Sequence, residues 1–178
     1  MVVDVRRWRA AAVMSGVKVR VDKVDDVLAG LKKLSNMDVL VGIPEGPQRE
    51  DAPLSNAQLG YLQATGATVE IDGSVVTLPP RPFLDIGIED SQAVTTQHLE
   101  SAARHALAGD FRIAEKELES AGIAASMAAQ RVIGDGDRLA PLSKITAAKR
   151  IENGQDIKPL YDTGKLKASI TYIVRGKK

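Results

Sequence analysis

From Asp90 to Gly134 apolar side chains recur at helical spacing, and most of them are small. Val94, Leu99, Ala102, Ala103, Ala106 and Leu107 fall on one face. After Gly109-Asp110 the pattern resumes with Phe111, Ala114, Leu118, Ala121, Ala125, Ala128 and Val132. Such a stretch is either two helices meeting at a corner or one long bent helix. A glycine able to turn the chain, followed by an aspartate able to cap, favours two. Alanine-rich faces let neighbouring helices approach closely, so any fold of this chain is organised around that pair.

The remaining segments supply strands and short helices. VKVRV (17–21) alternates apolar and basic residues, as a half-buried strand does. A helix is predicted next, with Asp22 as cap, apolar residues from Val24 to Leu34, and Lys32 and Lys33 suiting its negative end. MDVLVGIP (37–44) reads as a buried strand, and EGPQREDAP (45–53) as a polar loop. Ser55 opens a short helix that ends at Gly66. TVEI (68–71) and VVTLP (75–79) flank Asp72-Gly73, a strong hairpin signal. PPRPFLDIGI (79–88) reads as an extended approach to the long helices. A loop (134–143), one more short helix (143–154), a turn at Asp162-Thr163-Gly164 and a strand over 168–174 complete the chain.

Strands and helices interleave without regular βαβ units, which makes the fold class α+β. The expected architecture is a small mixed or antiparallel sheet packed against two long helices, with extended loops or arms. All 178 residues fit one domain. It would carry a flexible N-terminal arm (about 1–16) and a C-terminal turn-strand tail (about 155–178).

No constellation of residues points to catalysis or to a cofactor. The chain has no cysteine, which removes disulfides, thiolate chemistry and Cys-based zinc sites. His98 and His105 are seven apart, whereas helical ligand pairs prefer three or four, so no metal site is expected. Glu115, Glu117 and Glu119 spread over different helix faces, and Asp135 and Asp137 sit in a GDGD turn too short for a calcium loop. VGIPEG lacks the Lys-Ser/Thr of a phosphate loop, and no serine lies in a Gly-x-Ser-x-Gly elbow. The expectation is a protein that is not an enzyme.

Aromatic residues are only 3%, which disfavours base stacking and small-molecule pockets. Lysine and arginine number 24 against 23 acidic residues, so there is no overall excess for gripping phosphates. The basic ends are the exceptions: Arg6, Arg7 and Arg9 around Trp8, and Arg175, Lys177 and Lys178. They are either solvated or contact an acidic partner or nucleic acid. No run of residues is apolar enough for a signal-peptide core or a membrane span.

Two blocks are more specific. LGYLQATGATVEI…VTLPPRPFLDIGI (59–88) carries Gly66 before a strand, then Pro80, Arg81, Pro82, Phe83 and Leu84 before a long helix. KPLYDTGKLKASITYIV (158–174) carries Lys158, Pro159, Leu160, Asp162, Thr163, Gly164, Leu166, Ser169 and Ile170. In order and spacing the pair resembles bacteriophage neck and tail-completion proteins of the HK97 gp10-like, virion morphogenesis type. Together with the helical stretch between them, the blocks cover well over half the chain.

The resemblance implies a virion structural protein at the head-to-tail junction, assembled in the host cytoplasm. Copies of the chain would form a ring, usually hexameric, around the DNA channel. The ring would join a connector or portal-side protein to a tail terminator or tail tube, and DNA would pass without specific binding. A tail terminator or minor tail protein of the same fold group is the neighbouring alternative. A nucleic-acid-associated binding module using the basic termini is the alternative from another class.

The residues expected at subunit interfaces are Arg81 and Phe83, the 45–53 loop, Asp162, Thr163, Gly164 and Leu166 of the tail, and Arg6, Arg7 and Arg9 of the arm. Phe83 and Leu84 are expected to plug the core. Arg81 is expected to point outward on its proline-stiffened stalk, either in a local salt bridge or paired with a neighbouring subunit's carboxylate. The last strand is expected either to return within the chain or to extend a sheet across a subunit boundary.

Overall fold

The computed structural model describes residues 24–48, 53–71 and 73–176. The predicted strand 17–21, the Asp22 cap and the N-terminal arm with Arg6, Arg7 and Arg9 lie outside the described residues. So do residues 49–52, Asp72, Lys177 and Lys178.

Helix α1 (Val24–Ser35) has Asp25 and Asp26 in its first turn and Lys32 and Lys33 in its last, each matching the helix dipole. Strand β1 (Met37–Gly42) follows at once. Helix α2 (Asn56–Thr65) begins with a full capping box: the Ser55 hydroxyl accepts from the Gln58 amide, and the Gln58 side chain accepts from the Ser55 amide. Gly66 ends the helix at φ 75, with the Leu78 carbonyl and Pro80 crowding the side where a Cβ would stand. Strands β2 (Ala67–Ile71) and β3 (Ser74–Leu78) then form the predicted hairpin, Ile71 pairing with Ser74 across the turn.

Helices α3 (Phe83–Leu107) and α4 (Phe111–Asp135) are the two long helices, each roughly 37 Å at 1.5 Å per residue. They pack side by side as an antiparallel hairpin whose corner is Ala108 to Asp110, with Gly109 at φ 89. Asp110 occupies the cap position, but its carboxylate makes no capping hydrogen bond; its backbone carbonyl accepts from Ile113 and Ala114 instead. Helix α3 starts at Phe83, directly after Pro82, and not near Asp90. A proline just before the first turn sacrifices no helical hydrogen bond. The extended approach is therefore only the few residues up to Pro82.

Helix α5 (Lys144–Glu152) is capped by Ser143, and the short α6 (Lys165–Ala168) follows Gly164, which is at φ 78. Strand β4 (Thr171–Gly176) ends the described chain. The segment 168–174, expected as one strand, is divided, because Ala168 closes α6 and Ile170 is buried in the core before β4 begins.

The fold is α+β, with its strands in two separate antiparallel pairs, β1–β4 and β2–β3. β4 returns to β1, not to a sequence neighbour, in register from Met37↔Gly176 to Gly42↔Thr171. One face of this pair lies on α4: Val39 and Val174 join a core cluster with Ala114 and Leu118, and a Cβ at Gly122 would strike the Tyr172 ring. The opposite face carries Leu40 and Ile173, directly paired and 41% and 49% exposed. β1 was expected to be buried. It is half-covered because its only strand partner among the described residues is β4 and only one side meets a helix.

Small residues govern the helix hairpin. Gly87 sits so close to Ala129 that a Cβ would collide with the α4 backbone. Ala102 and Ala106 are fully buried between α3, α1 and α4. Val94, Leu99 and Leu107, expected on the buried face of α3, are between two fifths and one half exposed, because burial follows Phe83, Gly87, Ser91, Ala102 and Ala106. A second core cluster, around Phe83, Ile133, Leu139, Leu166 and Ile170, lies at the other end of the hairpin.

Candidate functional site

The two distinctive sequence blocks meet in space. Arg81 leaves the β3–α3 connection at the end of α2, where its amide donates to the Gln63 carbonyl at 2.8 Å. Its side chain turns inward and is 5% exposed. Nε donates to the Ala140 carbonyl at 2.6 Å, Nη1 to Gln63 Oε1 at 2.8 Å and Nη2 to the Pro141 carbonyl at 2.9 Å. All three partners are uncharged, and burial pushes the guanidinium below its ordinary pKa.

The outward orientation expected for Arg81 is thus corrected, and so is its expected pairing with a carboxylate within the chain. Two of its N–H groups meet carbonyls of the loop after α4 and a third meets Gln63 of α2, so the planar fork turns inward to join α2, the α3 connection and that loop. Phe83 is fully buried and Leu166 nearly so. Both belong to the core, as expected of Phe83 as a plug, and neither presents a surface to a neighbour in this conformation.

Asp162 and Thr163 are exposed, and Gly164 is partly so. These residues and Arg81 line one cavity of about 190 Å³. Arg150 of α5 reaches the same place. Its Nη1 donates to the Tyr161 carbonyl at 2.6 Å and the Asp156 carbonyl at 3.0 Å, while Nη2 lies 3.9 Å from Asp162. Leu160, next to this cage, has φ 61, an uncommon conformation for a side-chain-bearing residue. Arg150 went unnoticed in the sequence because nothing in ITAAKRIENG marks one basic residue above another.

Away from this cavity the surface is apolar in several places. The β2–β3 hairpin packs mainly on itself and leaves Val75 75% exposed. Val24, Leu28 and Leu31 form an exposed stripe on α1. Between α3 and α4 lies a groove of about 330 Å³ lined by Val94, Ala124, Met127 and Ala128, with Asp135 and Arg138 at one end.

His98 and His105 do not form a pair of ligands. His98 Nδ1 lies 2.7 Å from Glu117 on α4, a contact across the helix hairpin. Among the described residues no group of three His, Asp or Glu side chains is placed to hold a metal ion. No helix of the described residues is long and apolar enough to cross a membrane. No family model matches the chain, no curated protein matches it, and no solved structure matches its fold.

Proposed function

We propose that the chain is a structural subunit of a tailed-bacteriophage virion at the head-to-tail junction, a neck or tail-completion subunit. Copies would close into a ring, hexameric on the resemblance, around the DNA channel. The ring would join a connector or portal-side protein to a tail terminator or tail tube. Two lines support this reading: the resemblance carried by residues 59–88 and 158–174, and the surface of the fold.

The observation that carries it is the large apolar side chains exposed among the described residues, above all Val75 on the β2–β3 hairpin and the Leu40–Ile173 pair on the sheet face away from α4. A monomer gains nothing from such exposure, whereas a ring built by repeating one heterologous contact buries it in every copy. A two-stranded hairpin that pairs with no other strand among the described residues also suits contact with a neighbour. The balanced net charge of +1 suits a channel through which DNA must slide.

Light scattering of the purified full chain over a range of concentrations, with electron micrographs of the same samples, tests the reading. A defined oligomer with closed rings is expected. A monomer at every concentration that binds plain DNA with a steep salt dependence would replace it with a nucleic-acid-binding module.

A further inference from the structure

The cavity between the two sequence blocks has the chemistry of a binding site. Two guanidiniums border it, Arg81 and Arg150, together with Lys165, and the one acidic residue among its lining is Asp162. Arg81 is buried with only carbonyl and amide oxygens around it, and Arg150 meets Asp162 at the long distance of 3.9 Å. A charge taken out of water is normally neutralised by an opposite charge. Here the carbonyls fix both forks in place; among the described residues Arg81 has no acidic partner, and Arg150 has only the distant pair with Asp162.

Four leucines, Leu59, Leu142, Leu160 and Leu166, make the apolar part of the wall, and Gln63, Thr163 and Gly164 complete it. A lining that sets cationic groups beside leucines matches an anion carried on a short aliphatic stem better than a phosphate, which is polar all round.

We propose that this cavity is a carboxylate-binding site, taking a ligand with the dimensions of a glutamate side chain. The carboxylate would sit against Arg81 and Arg150, and its methylenes against the leucines. It is supplied either by a free dicarboxylate or by an acidic side chain of a second copy of the chain; only the latter source rests on the ring reading.

The test uses the full chain and follows thermal unfolding in sodium glutarate, sodium phosphate and sodium chloride at matched ionic strength, with calorimetric titration of glutarate. A saturable rise in the midpoint with glutarate alone is expected. Arg150→Gln should weaken glutarate binding about tenfold or more, the scale of one lost charge-assisted contact. If Arg150→Gln does not fold, Leu142→Trp, which fills the cavity and keeps both charges, should abolish the response by itself.

Light scattering in the same titration separates the sources. A fall in particle mass as glutarate binds assigns the natural carboxylate to a neighbouring copy, and an unchanged mass assigns it to a free ligand. A monomer that still binds glutarate keeps the site while removing the ring. Equal responses to the three salts, or a glutarate response that survives Leu142→Trp, overturns the proposal.

Discussion

Arg81 shows how a single side chain can hold several segments together. Its three side-chain hydrogen bonds tie α2 and the α3 connection to the loop at Ala140 and Pro141. Arg81→Met keeps much of the volume but leaves those oxygens without donors. It should lower unfolding free energy by about 3 kcal/mol or more, measured by chemical denaturation. The proline pattern around this residue is visible in the sequence, but the direction of the side chain is not, because two of its three acceptors come from a loop about sixty positions later.

Glu117 is a second case. The hydrogen bond from His98 is the chief cause holding its carboxyl below the ordinary glutamate range, assisted by Ser101 and opposed by desolvation. Because the folded pKa is lowered, the stability it contributes is present above the unfolded value and is lost as pH falls through the folded one. Glu117→Gln should therefore unfold at a lower temperature than wild type near neutrality. The gap should close in acid, and thermal melts across a pH series would follow it.

At the level of elements, local signals in the sequence were reliable wherever short-range chemistry decides the outcome. Ser55 announces α2, Asp72-Gly73 announces the hairpin, and Gly109-Asp110 announces the break between α3 and α4. The errors fell where packing decides. Helix α3 begins seven residues before Asp90 because Phe83 enters the core as its first residue, and the 168–174 segment splits because Leu166 and Ile170 are both drawn inward.

The α3–α4 contact yields a prediction at this scale. Alanine is a better helix former than glycine by about 1 kcal/mol. At Gly87, however, the added methyl would collide with the Ala129 backbone, and overpacking of this kind costs about 1–3 kcal/mol and often more. Gly87→Ala should therefore be destabilising despite its propensity gain. An increase in denaturation midpoint would show that the helices are free to separate there.

At the scale of the whole molecule, the core is narrow. Among the described residues only Phe83 and Ile133 are large side chains buried completely, and much of the remaining core is alanine. Larger apolar residues, Leu40, Val75, Met127 and Ile173 among them, are left outside. Replacing Leu40 and Ile173 together by aspartate should leave the far-ultraviolet circular dichroism unchanged, since neither side chain belongs to a core cluster. Under the ring reading the same change should reduce the particle mass seen by light scattering, because two charges would then have to be buried at the contact.

The sequence by itself determined the α+β class, the pair of long alanine-rich helices, the capped α2 and the hairpin. Each of these depends on periodicity, capping or turn chemistry among residues close together in the chain. Tertiary structure alone decided that β4 pairs with β1, that Arg81 faces inward, and that Arg150 joins Asp162 beside it. Those contacts join segments far apart in sequence. They are selected by which surfaces the helix hairpin leaves to be covered, a property that no local pattern encodes.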